Sequence, residues 1–150
     1  LIFTLSSDIN KFNYIINTKS ITMLKLIEFL KSFIITKSNK MDWNNLNSVE
    51  QLSEIDEKSK TKTQIIFKHS TRCSVSSFAK RILTSEFNED IQNKVDVHYL
   101  DLIAFREISQ EIASRYSVLH ESPQILVINN GVCSYNASHS DVSFDKALNK

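Results

Sequence analysis

Two cysteines, one proline, one glycine and one tryptophan are all that these 150 residues contain of those types. Two thiols are too few for the disulfide scaffold of a small secreted domain. No segment reads as a secretory signal with its small-residue cleavage site, so a reducing cytoplasm is the expected compartment. Excess charge is missing as well. Lysine and arginine number 18 against 17 aspartates and glutamates, a net charge of +1, which gives no broad electrostatic case for nucleic acid or an anionic membrane. No apolar run approaches the ~20 residues of a membrane-spanning helix. The cysteines and four histidines are scattered without the ligand spacing of a zinc site, so no metal is expected. Scarcity also makes Pro123 and Gly131 informative, since each should mark a place where the backbone requires it.

What is present divides unevenly. Residues 1–40 do not resemble the rest. Ser6 to Ser20 is polar and Asn-rich, and Ile21 to Ile35 is amphipathic, with Lys25, Glu28 and Lys31 on one face. This segment is expected to be a poorly ordered N-terminal extension, or upstream sequence translated from a misplaced start, with a short amphipathic helix inside it. From Met41 the pattern is regular. Asn47 or Ser48 is expected to cap a helix through Val49, Leu52 and Ile55. Thr63 to Lys68 reads as a strand, and Phe78, Ile82 and Leu83 give the following helix an apolar face. Val95 to Leu100 alternates with period two, and Ile103 to Tyr116 is helical by period. Gln124 to Ile128 is a buried-strand run, Asn130-Gly131 a hairpin turn, and Val132 to Asn136 the returning strand. A last helix is expected to begin near Ser140 or Asp141. The first two of these strands, joined through a helix, should be parallel with a right-handed crossover. The expected fold is therefore α/β and thioredoxin-like over residues 41–150, a mixed four-stranded sheet flanked by helices.

The run Phe67-Lys68-His69-Ser70-Thr71-Arg72-Cys73-Ser74-Val75-Ser76 carries the chemistry. The strand delivers one cysteine to the start of a helix, where unpaired amides and the positive end of the macrodipole favour a thiolate. Arg72 stands beside it and His69 one loop back. A dithiol oxidoreductase would carry its second cysteine three residues on; here that place holds Ser76, whose hydroxyl could donate to the thiolate or simply face solvent. Cys133, just past the hairpin turn, should lie at the far end of the sheet and serve packing.

Three motifs carry a resemblance. His69-Ser70-Thr71-Arg72-Cys73, His120-Glu121-Ser122-Pro123-Gln124 and Ala137-Ser138-His139 resemble, in that order, the monothiol bacilliredoxin family, also called YtxJ-like bacillithiol system proteins. The similarity covers about residues 41–150. It implies a cytoplasmic thioredoxin-fold enzyme that exchanges mixed disulfides between S-thiolated proteins and a small thiol, bacillithiol, as co-substrate, with no permanently bound cofactor. Many members of the family place a proline directly after the cysteine; here Ser74 stands there, without that rigid helix start.

On this reading Cys73 is the nucleophile. Ser122-Pro123 should be a cis peptide that turns the Ser122 backbone toward the thiol. The Ser138-His139-Ser140-Asp141 segment, as a helix start, should recognise the carboxylates of the small thiol, with Ser122, Arg72 and His139 as further contacts. His69 and His120 either tune the thiolate or pack. The protein is expected to be a monomer. Two alternatives stand beside this one: a non-catalytic binding module that uses the Pro123 groove, and an enzyme of the same kind that uses glutathione.

Overall fold

The computed structural model describes residues 41–149, together with Met23 and Lys25. Those two apart, the N-terminal extension and its amphipathic helix lie outside the described residues. The chain divides into two units, Leu1–Ser38 and Asn39–Lys150, and the second is the one described here. In order it contains β1 (Asn44–Asn45), α1 (Glu50–Lys58), β2 (Thr63–His69), α2 (Ser74–Glu86), α3 (Glu89–Lys94), β3 (Val95–Asp101), α4 (Arg106–Arg115), β4 (Gln124–Asn129), β5 (Val132–Ser138), a 3-10 turn (His139–Asp141) and α5 (Phe144–Leu148). No helix among the described residues is long and apolar enough to cross a membrane.

The strands form one sheet in the order β1-β3-β2-β4-β5, five strands where the sequence suggested four. The extra strand is two residues long and pairs parallel with β3 through Asn44↔His98 and Asn45↔Tyr99. Two polar residues carry no period, so nothing in the pattern announced it. β2 and β3 are parallel, as their helical connection requires, while β4 runs antiparallel to both β2 and β5. The β4–β5 turn has φ of 51° at Asn130 and 74° at Gly131. Positive dihedrals at both central positions are the reason for the Asn-Gly pair.

Both faces of the sheet are covered, and this explains the unbroken apolar runs of β2 and β4. Ile65, Phe67, Ile125 and Val127 point to one face, where Ala79 and Leu83 of α2 and Phe144 and Ala147 of α5 close the core. Ile66, Leu126 and Ile128 point to the other, against Leu52 and Ile55 of α1 and Ile108 and Ile112 of α4. α2 buries Ser76, Ala79 and Leu83. Phe78, expected on the apolar face, is exposed, because two residues from Ser76 is more than half a turn round the helix; the Arg81 guanidinium lies 5.6 Å from its ring centre instead.

Helix starts depart most from expectation. Neither Asn47 nor Ser48 caps α1; Val49 holds the N-cap position without a side-chain bond. Gln51 reaches back, its Oε1 accepting from the amides of Asn47 (2.7 Å) and Ser48 (2.9 Å). The Asp101 carboxylate accepts from the Ile103 amide at 3.0 Å, which holds a turn there and delays α4 to Arg106. α3, not foreseen, is capped by Asn88. The last helix begins at Phe144, capped by Ser143 and not by Ser140 or Asp141. Glu86, at the end of α2, accepts from the Ser143 hydroxyl (2.8 Å) and the Phe144 amide (2.6 Å).

Candidate active site around Cys73

β2 ends at His69, and four residues carry the chain to the start of α2. Cys73 occupies the N-cap position with extended dihedrals (φ −113°, ψ 123°), one residue earlier than the first turn. Its amide donates to the Ser70 carbonyl at 3.2 Å, and its carbonyl accepts from the Ser77 amide at 3.1 Å. Its side chain makes no capping bond, and the thiol is free and half-buried. Arg72 beside it is exposed. The loop is tied to the end of β3 by the Leu102 amide, which donates to the His69 carbonyl at 3.0 Å, and by a long contact from Thr71 Oγ1 to Asp101 Oδ1 at 3.4 Å.

Ser76 is neither an exposed helix serine nor a donor to Cys73. It is fully buried. Its hydroxyl accepts from the Ser70 amide at 2.9 Å and lies 2.8 Å from His69 Nδ1. Burial and the nearby Lys80 ammonium hold His69 below its ordinary range, so the ring is neutral near pH 7 and its Nδ1 can accept a hydrogen bond from the Ser76 hydroxyl. One hydroxyl of α2 thus ties the helix back to His69 and Ser70, where the turn that presents Cys73 begins. His69 also lies 5.5 Å from the Tyr99 ring centre and 5.7 Å from that of Phe67.

The opposite side of β2 holds a residue that sequence reasoning passed over. Lys68 is fully buried. Its Nζ donates to Gln124 Oε1 at 2.9 Å and to His120 Nδ1 at 3.1 Å, and no carboxylate lies within 4 Å of it among the described residues. Burial lowers its pKa to about 8, partly offset by Glu121. The signal was available: a strand covered on both faces buries every position, and Lys68 continues the Gln64–Phe67 run. Gln124 carries the same network onward, donating to the Leu119 carbonyl at 3.0 Å and accepting a long bond from the Glu121 amide at 3.4 Å. Lys68 and Gln124 are therefore the anchor of the 119–124 turn, and Ser122-Pro123 sits inside that turn as a cis peptide.

The register gathers these groups at one end of the sheet. Lys68 pairs with Gln124, and Gln124 with Ser138, so the end of β2, the start of β4 and the end of β5 lie side by side. The His139 amide donates to the Pro123 carbonyl at 3.0 Å, with His139 in the left-handed region at φ 57°. Its Nε2 is 3.8 Å from Glu121 Oε1. Buried hydroxyls of Ser122 and Ser138 have no hydrogen-bond partner among the described residues. Cys73, Arg72, Ser122, Pro123 and His139 thus belong to one end of the molecule. The helix start expected at Ser140-Asp141 is not found there: His139–Asp141 is a 3-10 turn packed against α2, and α5 begins only at Phe144. The amides at the start of α5 are taken by Glu86 and Ser143, and Glu86 is the last of thirteen residues in α2, ~20 Å along the helix from Cys73 at ~1.5 Å per residue.

Cys133 is remote. It pairs with Ile128, four strand positions beyond Gln124, or ~13 Å at ~3.3 Å per residue, whereas a disulfide needs alpha-carbons within ~7 Å. It packs against the α1–α4 core, and burial raises its pKa.

Known proteins share this fold. The sequence profile of the family described as monothiol bacilliredoxin BrxC matches residues 44–147. A solved structure described as having a thioredoxin fold is 27% identical, with a TM-score of 0.61 over 71% of this chain and 90% of its own. Thioredoxin from Malassezia sympodialis is 17% identical with a TM-score of 0.59, over 71% of this chain and 87% of its own. Thioredoxin O2 from Arabidopsis thaliana is 12% identical with a TM-score of 0.55, over 71% and 90%. At those identities the last two speak for the fold alone.

Proposed function

The chain belongs to the monothiol bacilliredoxin BrxC family of thioredoxin-fold oxidoreductases, and on that premise we propose that it removes a small thiol, bacillithiol, from S-thiolated cytoplasmic proteins through Cys73. The Cys73 thiolate attacks the small-thiol sulfur of a protein–S–S–R disulfide. The protein thiolate leaves and takes a proton from solvent, and R is left disulfide-bonded to Cys73. A second RS⁻ then attacks the R sulfur, expels the Cys73 thiolate and leaves as R–S–S–R. Two electrons have passed from two small thiols, one of them delivered by the substrate, with no second protein cysteine involved. Ser122 and Arg72 are the proposed contacts to the disulfide, and His139 to the small thiol.

The observation that carries this reading is the isolation of Cys73. Ser76 occupies the resolving position and its hydroxyl is already used, while Cys133 is several strand positions away in the other core. A single-cysteine exchange catalyst needs a nucleophile at a helix start and a resolving thiol from outside. Release of bacillithiol from a thiolated protein substrate, followed with excess bacillithiol, tests it. Cys73→Ser should abolish turnover and Cys133→Ser should leave most of it. Equal loss in the two variants would contradict the assignment.

A further inference from the structure

The end of the sheet that carries Cys73 also carries a cavity on the α4 side. It has a volume of about 500 Å³ and is lined by Leu102, Arg106, Ser109, Gln110 and His120. These are the residue after β3, the first turns of α4 and the turn before β4. The register fixes the level of the cavity. Lys68 faces Leu100 on one side and Gln124 on the other, so all three strand ends meet where β2 runs into the Cys73 loop. Leu102, at the cavity wall, is itself hydrogen-bonded to His69.

The wall has a definite chemistry. Arg106 is exposed at the first position of α4, and no carboxylate lies within 4 Å of its guanidinium among the described residues. His120 Nδ1 receives the Lys68 ammonium at 3.1 Å and lies 3.2 Å from Ser109 Oγ. An ammonium has only protons to give, so Nδ1 accepts and the ring proton sits on Nε2, its one remaining donor. Behind the ring Lys68 adds a buried cation. The acidic groups nearby are Glu121, which acts on Lys68, Glu107, which borders a separate cavity with Arg106, and Asp101, whose carboxylate is engaged by the Ile103 amide and Thr71.

We propose that this cavity holds the carboxylate end of the small thiol while its sulfur is bonded to Cys73. The Arg106 guanidinium receives the carboxylate in its planar fork, His120 Nε2–H donates to it, and Lys68 is a positioning residue that fixes the His120 ring. This rests on the reading of Cys73 as the residue that takes up the small thiol. The recognised chemistry is a carboxylate on a low-molecular-weight thiol, which the malyl group of bacillithiol and the two ends of glutathione both offer.

The test is the thiol–disulfide exchange equilibrium at Cys73 in the Cys133→Ser chain. The probes are bacillithiol, its dimethyl malyl ester, glutathione, glutathione diethyl ester and uncharged 2-mercaptoethanol, with adducts counted by mass spectrometry. One free acid should be favoured over its ester about tenfold, the size of one charge-assisted hydrogen bond, and the acid that shows the preference identifies the thiol. Arg106→Gln, His120→Phe and Lys68→Met should each bring the acid-to-ester ratio toward one, the two arms being compared within the same variant; a shift of the 119–124 turn that Lys68 anchors would weaken acid, ester and 2-mercaptoethanol alike and leave that ratio unchanged. Equal affinity for acid and ester, or a preference that survives Arg106→Gln, would overturn the proposal. Turnover of thiolated protein without any acid preference refutes the cavity alone; an acid preference without turnover refutes the proposed activity alone.

Discussion

Lys68 is a cation in a place built for a hydrophobe. It is fully enclosed, bonded to an amide oxygen and an imidazole nitrogen, without a carboxylate in contact among the described residues. Desolvation lowers its pKa to about 8, against ~10.4 in an unfolded chain. Between these values the unfolded state binds more protons than the folded one, so stability rises with pH across that window, and below about pH 8 the burial penalty is felt in full. Urea unfolding at pH 7.5 and 9.5 should therefore show the wild-type chain gaining stability relative to Lys68→Met as pH rises. Parallel pH dependence in the two proteins would contradict a buried, depressed ammonium. Cys73 and Pro123 were legible as site residues because their types are rare in this chain. Lys68 was legible only through its place in the buried β2 run, which its charge disguised, and Arg106 was not legible at all, because arginine and lysine are common here and only tertiary contacts distinguish the ones that matter. Ser76 was half legible: its place one turn after the thiol was readable, but its commitment to His69 required knowing that this face of α2 is buried.

At the scale of elements, strands were easier to read than helix ends. β2, β3 and β4 begin and end within a residue or so of expectation because both-face burial and period-two alternation are written locally. Helix starts depend on partners that are distant in sequence or reach back from inside the helix. Gln51 satisfies the amides before α1, Asp101 delays α4, and Glu86 reaches across to the start of α5. The last of these gives a prediction. Ser143→Ala removes the Lys146 amide acceptor and one partner of Glu86, and loss of such a cap costs about 1 kcal/mol. The melting temperature should fall while thiol exchange at Cys73 is unchanged, because the site lies at the other end of α2. A change in exchange rate with the fold intact would show that α5 does reach the site.

For the whole molecule, one sheet with two covered faces separates two thiols that the sequence leaves ambiguous. Cys73 opens at the end where β2, β4 and β5 converge, and Cys133 is packed in the opposite core, several strand positions down the sheet. The hairpin sign Asn130-Gly131 and the single proline were enough to foresee that separation, since together they set the direction of β4. They could not show that the same end of the sheet also opens a cavity toward α4, which depends on side chains from three elements. In the proposed mechanism one cysteine carries the small thiol and no second cysteine of the chain resolves it. Mass spectrometry of the protein quenched in acid during turnover with a bacillithiolated substrate tests this most directly. One bacillithiol on the peptide containing Cys73, with Cys133 unmodified, is the predicted result; an adduct on Cys133, or a disulfide between Cys73 and Cys133, would contradict it.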